Sequence, residues 1–521
     1  MLLQRINNKG IRLGTLLDRA AVRYPKNVIT LDHDLDVAPS FGRRATIPEV
    51  ADLVDDLAAR LWAAGVRPGN RVAVHKSQSF DITLLACATA RIGAVPALLS
   101  PQLDGVTVAE LLRRLEGPYL LTDQAKVDSE LPAEVFQLSA RVLLAAGTHP
   151  DAISLRSLAE APRIRPVTQP PEHPTLITHT SGTTGTPKLA VHTGYTLNAR
   201  HRLQITLFRA IRRQHTVAVH VSFVHSRMFT ALSVPMSRGF PLLVLAKSDP
   251  EHIATAFNEH RPGFIEAHPN SFMEWEELAD HPLKPMAGVK VFSSTFDAIH
   301  PRTVQRLLNS SEKRWPVFFQ ILGQSECGPL IGRGYTRKRA HKMDGRCVGY
   351  AVPGMTAVRV VSRNGKRPSA DSPGDIEVRT DGRVVTYLGE QQRYDKQRHD
   401  RWWRMGDVGY KSRWGCLHML DREIDMIPGF GSTLAVEDKL FDRLDDLAEV
   451  IIVPGPDGAA TPVVCTKGDT PLDLTAWADA VRNLPVMTEP VQWKLNELPQ
   501  TATTKIKRLE LTRLLASNGQ K

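Results

Sequence analysis

The sequence predicts an α/β protein with a large N-terminal domain of parallel sheets, a small antiparallel unit, and a small α+β domain at the C-terminus. Three observations predict it. Strand-like and helix-like stretches alternate to about residue 310, the pattern of βαβ units. After Gly349 short strand-like runs are separated by Gly, Pro, Asn and Asp turns, as in antiparallel sheets. After about Arg422 the texture changes again to a compact mixture of helix and strand.

The first clear helix starts at Thr46. Thr46 as N-cap with Glu49 three residues on is a capping box. Val50, Leu53, Val54, Leu57, Ala58 and Leu61 recur at helical spacing, and Gly65 closes the helix. Residues 71–75 (RVAVH) read as a strand, Asp81–Arg91 as a helix ending at Gly93, and 95–100 as the next strand. Residues 216–224 and 289–293 are strand-like, and Pro250–His260 is helical. Short strands follow at 357–361, 375–379 and 384–388, then helices near 437–447 and 473–484. Internal repeats and low-complexity tracts are absent from the sequence.

Composition narrows the class. The 521 residues are 42% hydrophobic and 23% charged, which excludes a disordered chain, a collagen-like repeat and a coiled-coil rod. No stretch approaches the roughly 20 apolar residues that span a bilayer. The N-terminus has no apolar core of signal-peptide length, so a cytoplasmic protein is expected. Five cysteines stand far apart without a C-x-x-C pair, so neither a zinc site nor a disulfide framework is expected. The net charge of +11 suits phosphate-bearing small molecules or an acidic protein partner, and equally a solvated basic face. No nucleic-acid-binding signature accompanies it, so no nucleic-acid partner is expected.

The most informative segment follows the strand-like residues 175–179. It reads Thr180-Ser181-Gly182-Thr183-Thr184-Gly185-Thr186-Pro187-Lys188. Glycines let the backbone approach an anion, successive amides form a nest, and hydroxyls with a lysine complete a phosphate cradle. The Gly-Lys-Ser/Thr ending of a Walker A loop is missing.

This loop resembles, at every position, the phosphate loop of the adenylate-forming superfamily: acyl-CoA synthetases, adenylation domains of peptide synthetases, and luciferases. Further resemblances follow in the superfamily's order along nearly the whole chain. Val221-Ser222-Phe223-Val224-His225 looks like the strand ending in a gate to the acid pocket, with His225 as the gate. Gln320-Ile321-Leu322-Gly323-Gln324-Ser325-Glu326 resembles N-x-Y-G-x-T-E. That likeness implies Gln320 on adenine, Ser325 on the α-phosphate, and Glu326 on a Mg²⁺ that Thr183 also contacts. Leu322 replaces the usual tyrosine, which removes an aromatic wall. Trp402-Trp403-Arg404-Met405-Gly406-Asp407 resembles W-x-x-T-G-D, implying that Asp407 takes the ribose hydroxyls. Asp421-Arg422-Glu423-Ile424-Asp425 resembles the hinge segment G-R-x-D-D, implying Arg422 on ribose or phosphate. Asp421 replaces glycine there, and Ile424 stands at the usually polar hinge position. An isoleucine should favour whichever lid position buries it. Leu498 to Arg508 resembles L-P-x-T-x-x-G-K-x-x-R, implying that Lys505 bridges the substrate oxyanion and the α-phosphate.

The resemblance implies residues 1–422 as an AMP-binding domain and 423–521 as a mobile lid. It implies ATP and Mg²⁺ as cofactors, Lys188, His225, Ser325, Glu326 and Lys505 as catalytic groups, and an acid activated as its AMP anhydride with pyrophosphate released. Thr180, Ser181, Gly182, Thr183, Thr184, Gly185, Lys188, Thr295, Phe296, Gln320, Leu322, Gly323, Ser325, Asp407, Arg422 and Lys505 would surround the nucleotide. One departure is larger: Ser293-Ser294-Thr295-Phe296-Asp297 stands where the superfamily has a glycine-rich turn, predicting a smaller or oddly shaped acid pocket. Acid–CoA ligation is the first reading, supported by Gly429 and Gly431, where thioester-forming members line the pantetheine tunnel. An ATP-dependent diazotase, activating nitrite for attack by an aryl amine, is the alternative that Thr295, Phe296 and Ile424 favour. A non-catalytic nucleotide-binding member is the third, against which Lys188, Glu326, Asp407 and Lys505 argue. Six basic residues between Arg333 and Arg346 read either as a solvated loop or as a docking patch for CoA phosphates or an acidic carrier protein.

Overall fold

The computed structural model describes residues 10–180, 186–205, 208, 215–295, 299–500 and 506–518. Its largest sheet has fourteen strands among the described residues. Six parallel strands cross its centre in the order Val28–Leu31, Leu242–Val244, Thr216–His220, Pro262–Ala267, Val291–Thr295 and Val317–Gln324. A second sheet of eight strands is centred on Arg71–Val74, Val95–Leu98 and Pro174–His179. Three strands, Leu447–Pro454, Ala460–Thr466 and Val491–Gln492, form a small C-terminal sheet.

Local rules place the helices between these layers. Helix Ile47–Ala63 has both halves of the Thr46–Glu49 capping box, and its six periodic apolar residues are all buried. Helix Asp81–Arg91 is buried on nearly every side, which explains its apolar sequence. The main core joins both helices to the inner faces of the two sheets. Among the described residues, no helix is long and apolar enough to cross a membrane.

The antiparallel unit is present and continues the largest sheet, and three other expectations are corrected. Val317–Gln324 is parallel to one neighbour and antiparallel to Gly328–Tyr335, so hydrogen bonding runs on through Cys347–Ala351 to Thr356–Val361. The stretch 384–388 shortens to Thr386–Tyr387 and joins the second sheet, against Val191 and Ala190. The predicted helix 437–447 begins earlier, at Thr433–Arg443, and the chain is a strand again from Leu447. Finally, Cys347 and Cys416 form a disulfide. Antiparallel pairing of Cys347–Ala351 with Leu417–Arg422 sets these distant residues side by side, which cysteine spacing along the chain does not reveal.

Candidate active site

The predicted phosphate loop leaves the eight-stranded sheet at Thr180 and returns at Lys188. The Thr180 N–H donates to the Lys188 carbonyl at 3.0 Å, and the Lys188 N–H donates to Thr180 Oγ1 at 3.2 Å. These two bonds pinch the ends of the loop. Ser181, Gly182, Thr183, Thr184 and Gly185 lie outside the described residues. Lys188 Nζ stands 3.6 Å from Glu326 Oε1 and 4.8 Å above the Tyr387 ring. The Tyr387 hydroxyl donates to the same carboxylate oxygen at 2.5 Å. Burial, reinforced by the neighbouring Glu326 charge, raises the Tyr387 pKa and keeps the phenol a donor. The sequence gives no sign of Tyr387's part, because it comes from a short strand 61 residues beyond Glu326.

Glu326 is itself buried just past the end of strand Val317–Gln324. Within that strand Gly323 passes so close to Gly328 that a Cβ would sit 2.6 Å from the Gly328 carbonyl oxygen. The Gln324 side chain accepts from Trp403 Nε1 at 3.0 Å and donates to the Met405 carbonyl at 2.9 Å. This clamp draws the 402–407 segment against 320–326. Leu322 packs into the cluster of Trp403, Met405 and Tyr387. Asp407 and Arg422 face each other across antiparallel strands, with Arg422 Nε 3.9 Å from Asp407 Oδ1. Asp421 accepts from the Thr433 N–H at 3.2 Å and its hydroxyl at 2.6 Å, which explains a carboxylate where the superfamily has glycine. Burial raises the Asp421 pKa to about 6.

Thr180, Lys188, His225, Thr295, Gly323, Ser325, Glu326 and Arg422 together line one cavity of about 300 Å³. Asp407 and Leu322 line an adjoining space of about 210 Å³, which shares Gly323, Gln324, Arg422 and Ile424 with the first. Gln320 is buried, and its Oε1 has no partner among the described residues. Phe296 lies outside the described residues, as does Lys505. Ile506, the next residue after Lys505, lines the same space as Gly323 and Asp407, and it bridges to Gln500. Ile424 is 47% exposed on the turn Glu423–Asp425, so the expected burial of this hinge residue is not met in this arrangement. Its turn leaves the side chain lining the cavity instead.

His225 caps helix Ser226–Arg238: its Nδ1 accepts the Arg227 N–H at 3.0 Å, which leaves the ring proton on Nε2. Burial, helped by the Arg200 charge, holds its pKa well below the usual histidine range, so the ring is neutral. Two buried arginines of this cavity escape sequence reasoning. Arg200 donates to the Gly382, Ser325 and Glu326 carbonyls at 2.8, 3.0 and 3.0 Å, and to Ser226 Oγ at 2.7 Å. Gly328 leaves room for it, since a Cβ there would fall 2.7 Å from Arg200 Cδ. Arg227 forms a buried ion pair with Glu266. A cation in the first turn opposes the helix dipole, and that was the available signal for Arg227.

The basic stretch 333–346 is only partly a free surface. The Arg337 guanidinium caps the carbonyls of Leu308, Ser311 and Lys313. Arg346 reaches Asp438 of helix Thr433–Arg443 at 2.8 Å. Lys338, Arg339 and Lys342 remain exposed. A docking role for Arg337 is therefore set aside in favour of a structural one.

Comparison with known proteins adds the chemistry of relatives. The family model described as AMP-binding enzyme matches residues 17–388. The chain is 46% identical to a 3-amino-2-hydroxy-4-methoxybenzoate diazotase of Streptomyces cremeus, covering 99% of this chain and 97% of that one. It is 25% identical to a 3-aminoavenalumate diazotase of a Streptomyces species, over 79% of this chain and 74% of that one. An anthranilate CoA ligase solved with anthranoyl-AMP superposes with a TM-score of 0.82 at 17% identity, covering 98% of each chain.

Proposed function

The chain belongs to the AMP-binding enzyme family of adenylate-forming ligases, and from that premise we propose that it is an ATP-dependent diazotase. It joins nitrite to AMP and passes the nitroso group to an aryl amine. The likeness to the Streptomyces cremeus diazotase along the whole chain carries the reading. The cationic lining of the pocket accords with it, since Arg200 and Arg227 suit anionic reactants.

In this reading residues 180–188 cradle the β- and γ-phosphates, Gln320 meets adenine, and Asp407 takes the ribose hydroxyls. Arg422 contacts ribose or phosphate. Ser325 and Lys505 hold the α-phosphate. Glu326 suits Mg²⁺, being a buried oxygen donor oriented by Tyr387 and beside Lys188, with Thr183 as its companion. Mg²⁺ when bound supplies positive charge to the phosphates. A nitrite oxygen attacks the α-phosphorus, and the bond to the bridging oxygen of pyrophosphate breaks. Nothing covalent is asked of the protein, only positioning and charge. The amine nitrogen then attacks the nitroso nitrogen, its N–O bond to AMP breaks, and AMP leaves with its electron pair. The resulting nitrosamine tautomerises, gains a proton and loses water, leaving the aryl diazonium.

The deciding experiment supplies ATP, Mg²⁺ and nitrite to the purified protein with a panel of aminobenzoates, with and without CoA. Pyrophosphate release is expected to need nitrite, and diazonium, trapped as an azo dye, to need the amine but not CoA. CoA ligation is the second reading, favoured by the open space around Gly429 and Gly431. Stoichiometric CoA thioester formed from a benzoate without nitrite would establish it instead.

Glu326→Gln is expected to raise the Mg²⁺ concentration needed for half-maximal pyrophosphate release, with partial rescue at high Mg²⁺. The amide keeps the shape and the Tyr387 contact but loses the charge. Unchanged activity at low Mg²⁺ would remove Glu326 from the metal site.

A further inference from the structure

We propose that Arg227 forms a carboxylate subsite in the wall of this cavity, holding the acid group of the aryl amine while the amine faces the adenylate. The inference rests on the diazotase reading and names the substrate class: an aromatic amine that carries a carboxylate.

The observation behind it is an unfinished set of hydrogen bonds. A guanidinium has five N–H donors, and burying them unpaired is costly. The Arg227 side chain is 3% exposed and lines the cavity. Its Nε is taken by Glu266. The other Glu266 oxygen accepts from Gln204 Nε2 at 3.2 Å. Nη1 and Nη2 of Arg227 are buried with no partner among the described residues. Two such nitrogens present the planar fork that matches a carboxylate with two parallel bonds.

Arg200 gives an independent reason for an anion. Its four described hydrogen bonds go to three carbonyls and a hydroxyl, so no carboxylate among the described residues hydrogen-bonds it, although the Glu326 charge is felt nearby. Burial pulls its pKa down to about 10, still leaving it cationic. Arg200 and Arg227 therefore outnumber Glu266, while Glu326 is engaged by Lys188. The cavity gains from a negative occupant. The depth of Arg227 selects which one. Glu266 is in register with Ser293, two residues before the strand end at Thr295 that meets the cavity. Its ion pair therefore draws the guanidinium toward the sheet, whereas nitrite must lie beside the α-phosphate near Ser325. The Thr295 hydroxyl is also unpartnered among the described residues and is placed to meet a ring substituent.

The test is binding of 3-aminobenzoate and of the neutral 3-aminobenzamide to the full chain, by calorimetry without ATP or nitrite. The acid is expected to bind about ten- to hundred-fold tighter than the amide, the worth of hydrogen bonds to a charged group. That preference should vanish in the double variant Arg227→Met/Glu266→Gln, which removes both charges of the pair at similar volume. Arg227→Lys, which keeps the charge but not the fork, should retain part of it. Should the double variant not fold, the wild-type ratio and Arg227→Lys still decide. Equal binding of acid and amide by the wild type overturns the subsite. So does a double variant that keeps the preference for the acid but loses affinity for nitrite in ATP–pyrophosphate exchange. Failure of nitrite to support pyrophosphate release would sink the diazotase reading alone, because the acid-to-amide ratio is measured without the reaction.

Discussion

Replacing Lys505 with alanine is expected to slow adenylate formation by about 10²–10³-fold, the usual loss when one donor to a developing oxyanion is removed. The reason is where the charge gathers. As an anionic oxygen closes on the α-phosphorus, five oxygens share negative charge, and a cation between nucleophile and phosphate is worth most at that moment. Lys505 lies outside the described residues, and the residues on either side of the gap are placed as follows. Gln500 bridges to Ile506, and the Lys507 N–H donates to the Pro499 carbonyl at 2.8 Å. Ile506 faces the space that Gly323, Asp407 and Arg422 line. ATP affinity should fall far less than the rate, because in the proposed reading Lys188 and the 180–188 segment, not Lys505, hold the ground-state phosphates. Pyrophosphate exchange and nucleotide binding, measured on the same preparation, separate the two. Near-normal exchange in Lys505→Ala would take this lysine out of the mechanism.

Sequence reasoning speaks most clearly where the chemistry is local. The 180–188 segment declares itself because glycines, hydroxyls and a lysine must be consecutive to make a cradle. Thr46 and Glu49 are legible because a capping box closes within one turn. Groups that act only through the fold were invisible. Tyr387 steadies Glu326 across 61 residues of chain. Arg200 binds the backbone of Ser325 and Glu326 from a helix, Gly194–Ile205, with no periodic signal to mark it. The Cys347–Cys416 disulfide depends on strand pairing that residue spacing cannot give. Ile424 is exposed in this arrangement for a related reason. Isoleucine on average gains by burial, but this one sits on a short turn whose direction is set by its flanks, where Arg404 pairs with Glu423 at 2.9 Å. The unusual 293–297 stretch suggests pocket filling by bulk. The described part instead contributes buried hydroxyls: Ser293, Ser294 and Thr295 are all unpartnered among the described residues. Of these three, Thr295 brings its hydroxyl to the cavity wall.

Glu266→Gln is expected to cost about 3–5 kcal/mol of stability, the usual result of removing one partner from a buried ion pair. Glu266 and Arg227 are 1% and 3% exposed in their side chains, so water cannot replace the lost charge. Glutamine keeps the shape and can still accept from Arg227, yet it leaves a guanidinium uncompensated beside Arg200. The loss should therefore come from charge and not from a cavity. Two consequences distinguish it from ordinary misfolding. Adding Arg227→Met to Glu266→Gln should recover much of the stability, because no unpaired charge then remains, and the two single effects should be far from additive. Chemical denaturation of the four members of the cycle measures this. The single variant Glu266→Gln, although less stable, should bind 3-aminobenzoate at least as tightly as the wild type, since the glutamate repels the incoming carboxylate while sharing its arginine. A glutamate retained at this point trades some affinity for a folded pocket that tolerates two buried arginines. Loss of both stability and acid binding in Glu266→Gln would instead make the glutamate an organiser of the guanidinium's orientation. Arg227 would then depend on it for direction as well as for charge.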